Sequence, residues 1–507
     1  MEIDQTTTDR QKNTELSHTQ SPMYGKTSDS TSEYDSENQA ETSANFDLEN
    51  LPQTQPTEKE DTNKVIDNEV DKDMDGGYAW VICLTCFLLN FSTWGMNSGF
   101  AIYFSYYLNH DIFDGASKID FSYIGGIAFG VGLSFSPILN YVLGKLGLRQ
   151  TIILGNCFQF TGLMLASFSR KLWQLYLTQG LLQSFGLALI TIPNLTLIPQ
   201  YFKKKRLLAG GLATAGSGLG GICFNLGMQE VLQAKSVWWA LRVQSIIGFV
   251  IVLVAACLAR SRADKINIQF TLYDVSVLRS VAFWIFGFFS ITCVFGYVVV
   301  LYTLANFTTS LGYSEYQGSI ASAMVQTGSC LGRPVVGVLS DKYGPATVSI
   351  VAYTIAGILC LAMWIPARNF ATVIAFSLIQ GALIGSIYGM SAPVAARTFG
   401  LKKMNVAFSM LWILMGISGI FSPVIGSTLI AGSANTVDPT QYKYCSVFTG
   451  ASFLASAASL ILLRGYIKAR DLMHTEHTDS DNSDYTHVTV PFWKVLTSCF
   501  KTSHEKT

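Results

Sequence analysis

The sequence predicts an all-α membrane protein with twelve transmembrane helices arranged in two six-helix bundles. Half of the 507 residues are hydrophobic and only 13% are charged, which fits a polytopic membrane protein better than a soluble enzyme of this length. After residue 77 the chain contains twelve apolar segments, each about as long as or longer than the roughly 20 residues that a helix needs to cross a bilayer. Several features recur at an offset of about 200 residues, which indicates two homologous halves.

Residues 1–74 precede the first apolar segment and are polar and acidic. They contain 18 Asp and Glu against 6 Lys and Arg, a net charge of −12 in a chain whose total charge is zero, so the remainder carries +12. This composition cannot bury enough apolar surface to offset the entropy lost on ordering, so we expect a disordered cytosolic tail. An inert solvated tail and a phosphorylated tail that binds regulatory proteins both remain open.

The predicted spans have ends that are uncertain by a few residues. They cover about 78–108, 119–141, 150–168, 172–198, 206–232, 236–259, 279–308, 316–339, 346–366, 370–396, 403–431 and 441–465. The longest polar break lies in the middle. We therefore expect an amino-terminal bundle over 75–260, a central cytosolic loop over 261–278, a carboxyl-terminal bundle over 279–465 and a cytosolic tail over 466–507.

The carboxyl-terminal tail contains one apolar pattern with helical spacing, at Phe492, Val495, Leu496, Cys499 and Phe500. A disordered tail is the preferred interpretation, and a short helix lying on the membrane surface is the alternative.

The charges of the loops predict the orientation. With the amino terminus inside, the inner loops hold fourteen Lys and Arg and the outer loops hold six, so both termini are expected in the cytosol. We expect a multi-pass protein of the plasma membrane, with the vacuolar membrane as the alternative. No continuous basic face is present, so nucleic acid is not an expected partner. Cys83-x-x-Cys86 lies within a span without a second pair, which favours packing over metal binding, and we expect no metal and no cofactor.

The fifth span begins with a run of cations that includes Lys204 and Arg206. Small residues then recur at a spacing of four, among them Gly216 and Gly220. This spacing lets the backbones of two helices approach closely. It is suited to helices that rock against each other during transport, and static close packing is the alternative.

Arg333 is a cation within the eighth predicted span. It lies about 12 Å from the inner end near Asp341, at 1.5 Å per residue, and an arginine at such a depth costs roughly 2.5–3.5 kcal/mol. Gln326 and Ser329 share its helix face. We interpret Arg333 as the anchor for an anionic or polar group of a solute, and the alternative is a structural cation near the inner gate.

The other candidate solute-binding residues are amides, hydroxyls and aromatic rings inside apolar spans. Each one alone is more often an inter-helix hydrogen bond, but together they indicate a polar, aromatic cavity. They are Asn90, Trp94, Asn97 and Ser98 of the first span, Asn194 of the fourth, Tyr297 and Tyr302 of the seventh, and Tyr388 of the tenth.

Three motifs resemble those of known transporters. The segment Asp75-Gly76-Gly77-Tyr78-Ala79-Trp80 resembles the first-span signature of the monocarboxylate transporter family, and the stretch from Tyr201 to Gly220 resembles its fifth-span signature. The stretch from Gly337 to Gly344, with Asp341 inside it, resembles the inter-helix loop motif of the major facilitator superfamily. The resemblance covers about 75–465 and implies the fold of that superfamily, with alternating access for a small organic solute. The gating or motif residues that the resemblance implies are Asp75, Gly76, Gly77, Trp80, Gly337, Asp341 and Gly344.

The resemblance also narrows the solute. The sequence around Trp94 to Ser98 and Phe104 to Leu108 is similar to that of the fungal branch of the family, which includes a riboflavin permease. Proton-linked members have a lysine where this chain has Ser98 and an aspartate where it has Ser329, whereas Arg333 is retained. A proton-coupled lactate symporter is therefore not expected.

Three interpretations of function remain. The first is a secondary transporter for a small organic carboxylate, and the second is a riboflavin uptake facilitator. The third is of another class, a nutrient sensor with a transporter-like body. The expected partners are the carboxylate or riboflavin-like solute and membrane lipid. An enzyme is not expected, because no nucleophile–base pair or metal cluster stands out.

Overall fold

A computed structural model describes residues 75–110, 112–113, 115–203, 205–262, 271–399, 403–431, 438–476 and 490–499. The acidic tail over 1–74 and Lys204 lie outside the described residues, so the expectations for them stay predictions. The described part of the chain consists of helices and connecting segments and contains no β-strand. The prediction of an all-α membrane protein is confirmed.

Six long helical segments follow one another from Tyr78 to Leu258. Helix α1 is Tyr78–Tyr107, with a π-helical turn at Phe91–Gly95, and α2 consists of Lys118–Ser134 and Ser136–Leu146, bent by 56° at the junction. The next four are α3, Leu148–Ala166, α4, Leu172–Tyr201, α5, Arg206–Ala234, and α6, Val237–Leu258. Ser117 caps α2 through a reciprocal pair of hydrogen bonds with Asp120, which satisfies backbone donors at the helix start.

Six further segments follow from Val281 onward. They are α7, Val281–Ser310, α8, Glu315–Tyr343, α9, Pro345–Trp364, α10, Phe370–Ile384 and Ser386–Phe399, α11, Met404–Thr428, and α12, Lys443–Glu476. The order agrees with the predicted spans, and most ends agree within a few residues. Gly344 has φ 88° and terminates α8, a conformation that side chains with a Cβ rarely adopt.

Eight of the described helices are long and apolar enough to cross a membrane, and nine are if the two parts of α2 are counted as one span. Helix α8 does not meet this criterion. Its interior face carries Gln326, Ser329 and Arg333, all of them buried. On a helix face that packs against other helices, such polar residues lower the apolar character of the helix without contacting lipid.

The carboxyl-terminal region differs from the preferred interpretation. Helix α12 continues to Glu476 instead of ending near 465, and Phe492–Cys499 forms a further helix, α13. The expectation of a disordered tail is wrong for these residues. Val495 is buried, and the Cys499 thiol contacts the Ile461 carbonyl of α12 at 3.5 Å, so α13 is packed against α12.

The two halves of the sequence meet where glycines permit close backbone contact. A Cβ added at Gly218 of α5 would lie 2.6 Å from the backbone nitrogen of Cys330 of α8. At a second contact, between α2 and α11, a Cβ at Gly126 would overlap the Ile420 carbonyl. Helices α5 with α8 and α2 with α11 therefore form two close contacts between the first and the second half. The assignment of the halves to two separate bundles stays a prediction.

Candidate functional site

The π-helical turn in α1 lies at the level of the predicted solute-binding residues. It covers Phe91–Gly95 and ends two residues before Asn97. A Cβ at Gly95 would lie 2.7 Å from the Cα of Gly220 in α5, so the turn is pressed against that helix. Single π turns are frequent at functional sites because they change which side chains face the interior.

Aromatic rings from five helices meet beside this turn. Trp94, which is 8% exposed, lies 5.2 Å from Phe129 of α2, 5.0 Å from Tyr388 of α10 and 6.2 Å from Trp412 of α11, measured between ring centroids. Tyr388 in turn lies 5.5 Å from Tyr297 of α7. We call these five side chains the ring cluster. It joins both halves of the sequence at the centre of the molecule.

Arg333 is next to the ring cluster and is 4% exposed. Its Nη1 donates to the Thr214 carbonyl and to the Ser217 hydroxyl, both in α5. The guanidinium carbon lies 5.8 Å from the centroid of the Tyr388 ring, and the guanidinium interacts with the Tyr297 hydroxyl. The cation is thus held between the two halves, and it does not line any of three cavities that the described residues form.

One nitrogen of the guanidinium lacks a hydrogen-bond partner within the described residues. The Nε of Arg333 and the Oγ of Ser329 are buried and lack a hydrogen-bond partner among the described protein atoms. Both face Gly385 of α10, where an added Cβ would contact Ser329 Oγ and lie 2.8 Å from Arg333 Nε. The two polar atoms therefore pack directly against Gly385 without a described hydrogen-bond partner, and a buried polar atom in this situation requires an explanation.

Five more predicted residues present buried polar atoms without a partner among the described atoms. By strict hydrogen-bond geometry these atoms are Asn97 Oδ1, Asn194 Oδ1, Tyr302 OH, Gln326 Nε2 and Tyr388 OH, although the side chains of Tyr302 and Asn97 are close enough to interact with each other. Buried polar atoms in folded proteins are nearly always hydrogen-bonded, so such a group requires an explanation, and a solute or solvent is one of the accepted explanations.

Asn90 and Ser98 are used differently. The Asn90 amide donates to the Cys86 carbonyl at 2.8 Å and to the Ala213 carbonyl of α5 at 3.0 Å. The Ser98 hydroxyl donates to the Gly95 carbonyl within α1 at 2.6 Å. Both side chains therefore serve helix packing in this conformation, which is the alternative that the sequence left open for isolated polar residues.

Two cavities lie on opposite sides of the ring cluster. We use "outer" for the end of the helices opposite the Asp75 motif. The outer cavity contains about 650 Å³ of empty space, counting the part that is open to solvent, and Tyr302 lines it. The inner cavity contains about 440 Å³ on the same measure and is lined by Asn194, Arg206 and Tyr388, among others. Tyr302 lines the outer cavity and Tyr388 the inner one, and Tyr297 lies 5.5 Å from Tyr388 between ring centroids.

The Asp75 motif closes the inner end of the first half. The Asp75 carboxylate accepts hydrogen bonds from the backbone N–H groups of Lys203 at 3.2 Å and Lys205 at 3.0 Å. Gly77 has φ 52° and ψ −119°, which favours glycine. Trp80 contacts Phe202 edge-on at 5.3 Å. The motif thus fixes the connection between α4 and α5, whereas Gly76 has open space around it.

The superfamily-type motif at the end of α8 contacts the start of α5. The Asp341 carboxylate accepts from the Leu208 backbone N–H at 3.2 Å, and a negative charge near a helix N-terminus is stabilised by the helix dipole. A Cβ at Gly337 would lie 2.7 Å from the Leu207 carbonyl. The Arg206 guanidinium donates to the Phe202 and Pro199 carbonyls at 3.1 and 3.2 Å. These residues assemble where α4, α5 and α8 meet.

The small residues of α5 separate into two faces. A Cβ at Gly216 or Gly220 would overlap the Phe87 or Phe91 carbonyl of α1, whereas Gly218 faces α8. The predicted close approach is therefore present, and α5 makes it with α1 of the first half and with α8 of the second half.

Sequence reasoning missed several residues at the site. Phe129 and Trp412 complete the ring cluster, and Thr214 and Ser217 hold Arg333. Thr214 and Ser217 lie among the small residues of α5, on the face opposite α1. Their spacing of three residues was the signal in the sequence that could have identified them. No comparable signal marked the two rings, because apolar spans are rich in aromatic residues.

Comparisons with known proteins agree with this architecture. The family model described as Major Facilitator Superfamily matches residues 82–423 and also 284–498. The "Probable transporter MCH2" of Saccharomyces cerevisiae is 45% identical over 82% of this chain and 88% of its own length. The "Uncharacterized transporter ESBP6" of the same yeast is 31% identical over 81% of this chain, which matches 63% of that relative. The "MFS-type transporter opdF" of Penicillium oxalicum is 28% identical over 77% of this chain and 91% of its own length.

Proposed function

The chain belongs to the Major Facilitator Superfamily and is a secondary transporter, and on this premise we propose that it carries a small organic carboxylate by alternating access. The observation that carries the proposal is the environment of Arg333. A buried guanidinium with an unpartnered Nε is next to rings and polar atoms of both halves. A carboxylate is the group that such a fork binds best.

Alternating access follows from where the contacts lie. The halves touch along α5–α8 and α2–α11 through backbone-to-backbone glycine contacts, and such smooth surfaces let helices tilt against each other. The ring cluster and Arg333 separate an outer from an inner cavity. Rocking of a bundle over 75–260 against one over 279–465 would open these cavities in turn.

Proton-coupled lactate symport is not part of the proposal. Ser98 and Ser329 occupy the positions at which proton-linked relatives are expected to have a lysine and an aspartate. In the described spans the carboxylates lie near helix ends, as with Asp120 in the first turn of α2 and Glu315 in the first turn of α8. A proton-binding carboxylate beside Arg333 is thus missing from the described residues.

Riboflavin is the second candidate solute, and the ring cluster favours it. Trp94, Tyr388 and Trp412 present large π surfaces with centroids 5.0–6.2 Å apart, and unpartnered amides are nearby. A flat ring system with several hydrogen-bonding atoms matches such a lining. In either case we propose the plasma membrane as the location, with both termini in the cytosol.

One uptake experiment separates the candidates. Cells of a transport-deficient yeast strain that express the protein are given labelled riboflavin, lactate or pyruvate, and each unlabelled solute is tested as a competitor. Saturable uptake of a carboxylate supports the proposal, and saturable uptake of riboflavin alone supports the second candidate. A protein at the cell surface that gives no saturable flux for any of a broad set of solutes would support the nutrient sensor.

A further inference from the structure

The outer cavity contains one cation that packing does not explain. Lys118 is the first residue of α2 and lines the cavity at partial burial. Its position is unfavourable for stability, since the helix dipole already makes the start of α2 positive. Of the described residues that line the cavity, Lys118 is the charged one, and no carboxylate lines it beside Lys118.

The nearest acidic residue on the same helix is already engaged. The Asp120 carboxylate accepts from the Ser117 backbone N–H at 2.9 Å and the Ser117 hydroxyl at 2.7 Å, and from the Tyr176 hydroxyl of α4 at 3.1 Å. It is thus directed to the helix cap and to α4. The Lys118 ammonium keeps its positive potential in the cavity.

The rest of the lining consists largely of neutral hydrogen-bonding groups. Thr303, Asn306, Thr309 and Ser310 come from consecutive turns of α7, and Gln441 comes from the turn before α12. Tyr302 is in the same wall, and its hydroxyl faces the Asn97 side chain. The hydroxyls of Thr303, Thr309 and Ser310 donate to carbonyls within α7, so the Lys118 ammonium is the group of this lining that attracts an anion.

The same charge pattern recurs along the route to the inner side. Arg333 is the buried cation beside the ring cluster, and Arg206 is the charged residue among the described residues that line the inner cavity. Three separated cations in succession favour an anion at each stage. A positive potential in a cleft also raises the local concentration of anions.

We propose that the outer cavity is an entry site for carboxylate anions, in which Lys118 binds the anion before it reaches Arg333. This inference rests on the proposed function and deepens it by restricting the solute to anions. It makes Lys118 a determinant of capture and not of the crossing step. Loss of its charge should raise KM and leave the maximal rate near that of the wild type.

The test uses the full-length protein in nanodiscs of neutral phospholipid, with thermal unfolding as the readout for binding. Pyruvate is the anionic probe, and methyl pyruvate is its uncharged counterpart. We expect pyruvate, and not methyl pyruvate, to raise the melting temperature of the wild type. K118R should keep this response, and K118Q should need about tenfold more pyruvate for the same shift. K443Q is the matched control, because Lys443 is exposed at the same outer end and does not line the cavity.

Uptake of labelled pyruvate by cells expressing the same variants gives the second readout. We expect KM to rise about tenfold in K118Q, equivalent to one charge-assisted contact of about 1.4 kcal/mol. Equal protection of K118Q and wild type by pyruvate would overturn the inference, as would protection by methyl pyruvate or no protection of any variant. Pyruvate binding that depends on Lys118 but gives no flux would contradict the proposed function while leaving the entry site intact.

Discussion

The contact between Gly218 of α5 and Cys330 of α8 offers a direct test of how the two halves move. In G218A the new Cβ would lie 2.6 Å from the Cys330 backbone nitrogen and 2.8 Å from its Cα and Cβ. Ordinary contacts begin near 3.4 Å, so the helices must separate by close to an ångström. Backbone atoms cannot move aside as a flexible side chain does, and overpacking of this kind costs about 1–3 kcal/mol.

This cost applies only to conformations in which α5 and α8 touch at this level. A penalty of about 1.4 kcal/mol changes the ratio of two conformations tenfold, so G218A should reduce the initial rate of uptake about tenfold while some protein still reaches the membrane. G227A is the matched control, since Gly227 is in the same helix and has no heavy atom within 4 Å of an added Cβ. Alanine there should be neutral or slightly stabilising, because glycine is the weaker helix former.

The measurement is the initial rate of uptake divided by the amount of protein at the cell surface, together with the melting temperature of the purified variants. G218A should melt below the wild type and G227A should not. If G218A transports and unfolds like G227A, the α5–α8 contact is looser than the structure indicates and the argument fails.

Three other predictions use the same assays. R333A should abolish uptake while expression stays near normal, because the variant lacks the buried guanidinium that bonds to Thr214 and Ser217. Unchanged flux would show that Arg333 is not part of the solute site. Uptake should depend weakly on external pH, since carboxylates in the described spans lie near helix ends, and strong acid stimulation with solute-driven proton entry would refute this. D75A should lower the free energy of unfolding by about 1–3 kcal/mol, because two backbone N–H groups lose their acceptor. D75N should lose less, since asparagine retains an oxygen and tolerates the positive φ of 63° at this position.

Much of the architecture follows from the sequence because hydrophobic length is a strong signal. A span needs about 20 apolar residues, and this requirement located the helices within a few residues in most cases. The spacing of glycines in α5 indicated that another helix approaches it closely. The depth of Arg333 within α8 indicated that burying this cation costs free energy. These are local properties, so they can be read from one segment at a time.

Other parts depend on partners that are distant in the sequence. Hydropathy could not show that α12 continues to Glu476, since its last turns are polar and outside the apolar span. The partners of Gly216 in α1 and of Gly218 in α8 depend on the packing of three helices. The ring cluster combines Trp94 with rings from four other helices, and no spacing within one helix encodes it.

Helix α13 also changes how the protein should be handled in the laboratory. Because Val495 is buried and the Cys499 thiol contacts α12, a fluorescent protein joined downstream of Cys499 would be held close to the end of the last span. Its orientation would then follow the tilt of α12, so polarised emission from such a fusion could record the rocking of the second half. A shortened variant that ends before Phe492 would lack this rigid attachment, and it would expose the surface around Gly465 that α13 covers.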